Sequence, residues 1–222
     1  MIAAFVTDWW VSLWALFTDG RKRVYFVYLL TATIIALAWL IGWQGKSLWA
    51  AVLQLFNSSL WWTRSARMDY LLLLINQGLM VLLAPLFLGK LALASSLFFG
   101  LHHLFDRPVW LNPLPGGLVA TTFTLSLFLL DDASRYWLHR LMHRWTILWA
   151  FHRVHHTAEV LTPFTVLRTH PVEAVLFALR GLLVQGLCIG LFVFFFGAQV
   201  TLLTWLGASI FTACFNITGA NL

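Results

Sequence analysis

Residues 24–43 read VYFVYLLTATIIALAWLIGW, an apolar run that no charged side chain interrupts. A helix of about 20 residues is about 30 Å long at ~1.5 Å per residue, which matches the hydrocarbon core of a bilayer. We therefore predict that this run is the first membrane-spanning helix. The rest of the chain has the same character, since 61% of its 222 residues are hydrophobic.

The composition excludes a water-soluble globule. Only 10% of the residues are charged, against about 25% in an ordinary soluble domain, and the mean hydropathy is +0.84. With 19 Phe and 13 Trp, the apolar surface exceeds what one compact core would bury from water. The predicted fold class is all-α: a polytopic membrane helical bundle that forms a single domain over residues 1–222.

Further apolar segments are predicted to lie in the membrane. Residues 91–105 and 118–130 flank a turn-rich loop and read as one hairpin, and residues 172–196 and 200–215 read as another. Residues 48–62 are shorter and rich in Trp, which favours an interfacial helix. The full set of predicted spans is 24–43, 70–88, 91–105, 118–130, 172–196 and 200–215.

The basic residues indicate orientation. The formal charge is +6, and Lys and Arg collect in cytoplasmic loops of membrane proteins. We therefore interpret the positive charge as a topology signal, and no nucleic-acid partner is predicted. Residues 131–171 contain six of the eight histidines and five arginines, and are predicted to form a cytoplasmic core. The basic cluster at 21–23 leads directly into the first span, so no cleavable signal peptide is expected. We expect a multi-pass protein of a bacterial inner membrane or the endoplasmic reticulum.

Two histidine clusters lie in this core: HRLMH at 139–143 and HRVHH at 152–156. Offsets of three and four residues place imidazoles on one face of a helix, where they can share a metal ion. An all-imidazole set favours iron, copper or zinc, and two clusters suggest two ions. The cysteines, Cys188 and Cys214, lie in apolar runs and indicate neither a disulfide framework nor a thiolate site. The predicted ligands are His139, His143, His152, His155, His156 and, more weakly, His170.

Carboxylates near the clusters are few. Asp132 precedes His139 by seven residues, about two helical turns, and is predicted to accept a proton from its far ring nitrogen and orient it. Asp131, four residues before Arg135, is predicted to pair with it. The adjacent His102 and His103 are predicted to make interfacial or polar contacts rather than bind metal. Beyond the metal ligands, no catalytic residue is singled out.

The stretch DDASRYWLHRLMHRWTILWAFHRVHHTAEVLTPFTVLRTHPVE, residues 131–173, resembles the core of the fatty acid hydroxylase and sterol desaturase superfamily. The shared features are the Asp before the first box, the Tyr136–Trp137 pair, HRxxH, LWxFHxxHH and the final HP. The resemblance implies an integral membrane enzyme with two non-haem iron ions that uses O₂ to hydroxylate or desaturate a membrane lipid of the sterol or fatty acyl class. It also implies an external electron donor, such as cytochrome b5, ferredoxin or a flavoprotein reductase.

The family pattern continues to a third HxxHH box, which these 222 residues do not contain. We therefore expect a truncated member or a fragment in which five or six imidazoles bind one ion well and a second poorly, without lipid oxidation by the chain as given. The alternative is a non-enzymatic membrane haem or metal-binding protein. Haem needs only two axial histidines and leaves three or four unexplained.

Overall fold

The computed structural model describes residues 2–105, 114–197, 200–202, 204–205 and 208–210. Within these residues the prediction of an all-α protein is confirmed, apart from one short ladder in which β1 (Thr204–Trp205) pairs antiparallel with β2 (Ala208–Ser209). Single 3₁₀ turns lie at Ala84–Leu88, His155–Thr157 and Pro163–Leu167. The helices are α1 (Ile2–Thr18), α2 (Phe26–Gly42), α3 (Leu48–Leu55), α4 (Ser58–Trp61), α5 (Arg64–Leu82), α6 (Gly89–Leu104), α7 (Gly116–Arg144), α8 (Thr146–His152) and α9 (Pro171–Phe196).

Three helical stretches are long and apolar enough to cross a membrane: Ala84–Leu104, Gly116–Arg144 and Pro171–Phe196. Helix α2 lies where the first span was predicted, but its 17 residues are about 25 Å long, the short end of the range for a crossing helix. Helix α1 is also apolar and, like α2, has 17 residues; the sequence analysis assigned no structure to this segment.

Helix α5 is displaced from the predicted span at 70–88. It begins six residues earlier, at Arg64, because the Thr63 side chain caps it by accepting the Ala66 N–H at 3.0 Å. It ends at Leu82 because Pro85, which has no N–H to donate, follows closely. The last residues of the predicted span form the 3₁₀ turn that leads into α6.

The predicted interfacial segment at 48–62 contains two short helices, α3 and α4. Ser47 caps the first by accepting the Ala50 N–H, and Asn57 caps the second by accepting the Ser59 N–H. The break between them turns the chain beside α2, against which α3 packs.

Helix α7 is a single helix of 29 residues, although its membrane part and its first histidine box were predicted as separate segments. It is about 43 Å long, which exceeds the ~30 Å hydrocarbon core. His139 and His143 therefore lie on the end of a membrane-length helix.

Helix α9 is the centre of the packing, since α6 and α7 each pack mainly on it rather than on each other. The predicted hairpin of 91–105 with 118–130 is therefore replaced by a layer in which α9 lies between the two. Small residues allow the close approach, because a Cβ at Gly190 would lie 2.9 Å from the Ala94 carbonyl oxygen of α6. Most of the predicted span at 200–215, including Cys214, lies outside the described residues.

Replacement of Gly190 tests this close approach. Gly190→Ala forces α6 and α9 apart, and we expect a loss of about 1–3 kcal/mol in the free energy of unfolding, as for other overpacked positions. Gly181→Ala is the matched control on the same helix, because a Cβ there meets nothing within 4 Å. Thermal unfolding in detergent is expected to shift down for Gly190→Ala alone. Equal midpoints would show that α6 and α9 do not pack at Gly190.

Candidate metal centre

Four histidine side chains from two helices and one turn meet at the end of α7. His139 and His143 are one turn apart on α7, His152 is the last residue of α8, and His156 lies in the following 3₁₀ turn. The sharp bend between α7 and α8, at Trp145, folds α8 back so that its end faces the last turns of α7. Residues 152–156 were expected to lie on one face of an α-helix. They instead form the end of α8 and a following turn, and His152 and His156 still converge.

The Nε2 atoms form a chain of short contacts. His139 and His143 are 3.0 Å apart, His143 and His152 are 3.2 Å apart, and His152 and His156 are 3.2 Å apart, measured between Nε2 atoms. One ligand nitrogen from each of the four lies within 4.8 Å of every other. Because metal–nitrogen bonds are about 2.0–2.1 Å, two nitrogens on one ion are at most about 4.2 Å apart. Small side-chain shifts would therefore let all four bind a single ion.

His152 is the best-defined member of the group. It is fully buried, and its Nδ1–H donates to Glu173 Oε1 at 3.0 Å, so in the neutral ring Nε2 carries the lone pair. Burial, followed by the charges of the neighbouring histidines, lowers the pKa of His152 to about 4. Burial is also the main cause that lowers the pKa of His156. Both rings are therefore neutral at pH 7, the form that binds a metal ion.

The group is closed on one side and open on the other. His152 is buried and His139 half-buried, whereas His143 and His156 are exposed. The ring of Trp149 packs beside the open side, with its centroid 5.3 Å from that of His143 and 5.5 Å from that of His156. An ion bound here would keep positions accessible from outside, as catalytic metal sites do. The donor set fits iron, copper or zinc.

His155 lies beside the group without joining it. Its ring centroid is 5.3 Å from that of His156 and 5.7 Å from that of His152. Its Nδ1–H donates to the Arg168 carbonyl oxygen at 3.3 Å, which leaves the Nε2 lone pair free. The structure thus places His155 as a neighbour of the four converging rings.

The sixth predicted ligand, His170, has a different role in this geometry. It is the N-cap of α9, and its Nδ1 accepts the Val172 N–H at 3.1 Å, so in the neutral ring the proton is on Nε2. Its ring packs on Phe151. Metal binding by His170 stays a prediction. His102 contacts Phe98 and Phe194, and neither it nor His103 belongs to the four-histidine group.

The carboxylate that orients a histidine is Glu173 rather than Asp132. Asp132 is exposed on α7, and among the described residues no hydrogen bond joins it to His139. Glu173 lies in the first turn of α9 and is buried, and its Oε2 has no partner among the described groups. The sequence contained a signal for this, since a carboxylate at the start of a long apolar helix must be paired if it is buried. The predicted pair of Asp131 with Arg135 is present at 2.8 Å, and Arg180 of α9 joins it.

A second buried ion pair fixes the segment that follows the histidines. Arg168 and Asp69 of α5 are both buried, and Arg168 Nε donates to Asp69 Oδ1. Arg168 also donates to the Ser65 carbonyl oxygen at 2.5 Å, and Thr165 donates to Asp69 Oδ2 at 2.9 Å. The turn Pro163–Leu167 and the Arg168 carbonyl that accepts from His155 are thereby attached to α5.

Comparison with known proteins agrees with this geometry. Residues 124–219 match the family model described as fatty acid hydroxylase, a range that contains all four converging histidines and Glu173. The chain is also 33% identical over 103 residues to alkylglycerol monooxygenase from Homo sapiens, and the aligned part covers 46% of this chain and 21% of that protein. Both matches support membership of the fatty acid hydroxylase/sterol desaturase superfamily.

The chain therefore matches about a fifth of the length of its human relative. No solved structure matches it. The matched range begins within α7, so α1 to α6 and the start of α7 lie outside it.

Paired histidine replacements test the metal centre. His139→Ala with His143→Ala removes half of the four converging histidines, and we expect the protein to retain much less metal, measured by elemental analysis of the purified protein. The pair His102→Ala with His103→Ala is the control and is expected to keep it. Metal that follows the control pair instead would contradict the assignment of the centre.

Replacement of Asp69 tests the attachment of the histidine segment. Asp69→Asn leaves the buried guanidinium of Arg168 without a counter-ion, and we expect a loss of about 3–5 kcal/mol in the free energy of unfolding. Asp19→Asn is the control because its partner, Arg21, is 71% exposed, and it is expected to cost less than about 1 kcal/mol. Similar shifts in thermal unfolding for both variants would mean that the buried pair does not fix this segment.

Proposed function

We propose that this chain is the metal-binding part of an O₂-dependent non-haem iron oxygenase that oxidises the hydrocarbon portion of a membrane lipid. The observation that carries the proposal is the convergence of four imidazole nitrogens within 4.8 Å at the end of a membrane-length helix. The fatty acid hydroxylase match and the alkylglycerol monooxygenase relative support a lipid-modifying oxidoreductase. The iron, the substrate class and the choice between hydroxylation and desaturation are parts of the proposal.

The position of the centre suits a lipid substrate. His139 lies 23 residues after Gly116, about 35 Å along α7, which is beyond a ~30 Å hydrocarbon core that begins at the other end of the helix. Glu173 lies at the start of α9, which packs on α7. We infer that the centre lies at the membrane surface, on the cytoplasmic side because arginines crowd residues 131–171.

The residues have separable roles in such a reaction. Glu173 fixes the ring of His152, so that Nε2 points toward His143 and His156. Burial of His152 excludes water from one side, and the exposed side at His143 and His156 leaves access for O₂ and substrate. Bound iron would supply the oxidising power that breaks an unactivated C–H bond.

The reaction must balance in electrons and protons. In hydroxylation, one O₂, two electrons and two protons convert a C–H bond into C–OH and one water. In desaturation, the same reactants remove two hydrogens and form two waters. We propose that the electrons come from a separate donor, such as cytochrome b5, ferredoxin or a flavoprotein reductase, since the 222 residues contain no G-x-G-x-x-G dinucleotide fingerprint.

Two iron ions are proposed for the complete centre. The four converging histidines suffice for one ion, and a second ion would require additional ligands, for which His155 and His170 are the available imidazoles nearby. We therefore expect one tightly bound ion per chain and weaker binding of a second.

The alternative function is a membrane haem protein. Axial ligation of haem requires two imidazoles on opposite faces of a flat macrocycle. The rings of His139, His143, His152 and His156 instead pack against one another, tilted or edge to face, with centroids 4.6–4.9 Å apart, a spacing that favours a bare ion over a macrocycle.

The experiment combines metal content, spectrum and product. Because the 222 residues alone are not expected to oxidise lipid, product is measured with the chain extended by a segment that contains HxxHH. The extended chain, loaded with iron and supplied with an electron donor and O₂, is incubated with 1-O-hexadecylglycerol and separately with palmitate in vesicles, and oxidised lipid is measured by mass spectrometry. Glu173→Gln weakens the orientation of His152, and we expect iron affinity about 10–100-fold lower, with a matching loss of product. His103→Ala is the control and is expected to retain both.

Two results would contradict the proposal. Product from a variant that lacks both His143 and His152 equal to that from the protein without this change would mean that the histidine group is not the reacting centre. A Soret absorption band with no non-haem iron would establish the haem alternative instead.

A further inference from the structure

We propose that the cavity enclosed by α2, α3, α4 and residues 161–164 binds the alkyl chain of the lipid substrate. This inference rests on the proposed function and adds a binding site to it. The cavity has a volume of about 830 Å³, which lies in the range of ligand-binding pockets.

The cavity offers an apolar surface. Among the described residues that line it, none is charged, and the polar ones are Thr33, Gln54 and Thr162. Thr33 Oγ1 donates to the Leu29 carbonyl oxygen at 2.8 Å, and Gln54 Oε1 accepts from Lys46. The Thr162 N–H donates to Thr165 Oγ1. Because the rest of this lining is apolar and these groups already have partners within the protein, the cavity favours an uncharged, apolar occupant over an ion.

Aromatic rings form one wall. Phe56 stacks on Trp61 with centroids 6.4 Å apart, and Phe164 meets Trp61 edge to face at 6.3 Å. Phe164 also packs on Tyr70 of α5 at 5.5 Å. Rings fixed by several contacts give a preformed surface, which binds a flexible alkyl chain with little reorganisation of the protein.

Phe164 in this wall belongs to the segment that leaves the metal centre. Leu161 in the same segment follows His156 by five residues, so this part of the cavity lies within about 17 Å of His156 even if the chain between them is fully extended. A lipid alkyl chain covers about half of a ~30 Å hydrocarbon core, about 15 Å. The cavity and the histidines are therefore separated by no more than about the length of one alkyl chain.

The opposite walls come from α2, α3 and α4, which lie outside the residues that match the fatty acid hydroxylase family. The metal centre and the greater part of this cavity are thus built from different parts of the chain. Specificity for the alkyl chain would then depend on residues that the family match does not include.

One pair of substitutions separates the cavity from the surface that faces lipid. Ala36 lines the cavity, whereas Ala38, two residues along α2, is exposed and does not line it. Ala36→Trp fills the space, and Ala38→Trp adds the same side chain outside it. The probe is 1-O-hexadecylglycerol with a diazirine near the end of its alkyl chain, in phosphatidylcholine vesicles that contain the full chain.

We expect light-induced labelling of the peptide that contains Phe164 in the unmodified chain and in Ala38→Trp. In Ala36→Trp we expect labelling to fall at least about tenfold, the change that corresponds to losing the contacts of roughly two buried methylene groups. Excess unlabelled hexadecylglycerol should compete, and excess phosphatidylcholine should not. Unchanged iron content in Ala36→Trp serves as the check on folding.

Labelling that is equal in the two variants, or that phosphatidylcholine displaces equally well, would show ordinary bilayer lipid and overturn the proposal. A variant that lacks His143 and His152 distinguishes failure of the cavity proposal from failure of the proposed function. Its cavity is unchanged, so we expect it to be labelled like the unmodified chain. Specific labelling without lipid oxidation by the chain extended with an HxxHH segment would reject the proposed oxygenase and leave a lipid-binding cavity. Lipid oxidation by that extended chain that persists in Ala36→Trp at the rate of Ala38→Trp would reject the cavity as the substrate site.

Discussion

The buried ion pair of Asp69 with Arg168 connects the two halves of the molecule. Asp69 belongs to α5, and Arg168 lies between the second histidine cluster and α9. Through this pair, the segment from His155 to α9 is attached to the N-terminal helices. The wall of the apolar cavity is part of the same segment, because Phe164 precedes Thr165, which donates to Asp69. The positions of His155 and of Phe164 in the cavity wall therefore depend on this electrostatic contact.

A buried ion pair contributes less to stability than to geometry. Removing two charges from water costs several kcal/mol per ion, and the attraction between them offsets this cost only if the remaining donors and acceptors are satisfied. Arg168 meets that condition by also donating to Ser65, and Asp69 by accepting from Thr165. Hydrogen bonds are directional, so these contacts restrict the orientation of the segment relative to α5 more than an apolar contact of equal area would.

Sequence reasoning succeeded where the signal was local. The i, i+4 spacing of His139 and His143 predicted a shared helix face, and the two rings are in contact. It was less successful where partners are distant in sequence. Glu173 is 21 residues from His152, and Asp69 is 99 residues from Arg168, so no periodicity relates them. Helical spacing, which can be read from sequence, indicated Asp132, whereas the return of α9 toward α8, which brings Glu173 to His152, cannot be read from sequence.

The same distinction explains the fold. Apolar length identified the helices α2, α7 and α9, because membrane thickness fixes the length of a crossing helix. It did not show that α7 continues past the bilayer into the first histidine box, since a helix needs no break where its surroundings change from lipid to water. That continuity has a chemical consequence. Side chains on a helix that packs against α9 are held more closely to one geometry than side chains on a loop. The turn that contains His155 and His156 is instead attached to α5 through the Arg168 carbonyl oxygen, which accepts from His155, and through the Asp69–Arg168 pair.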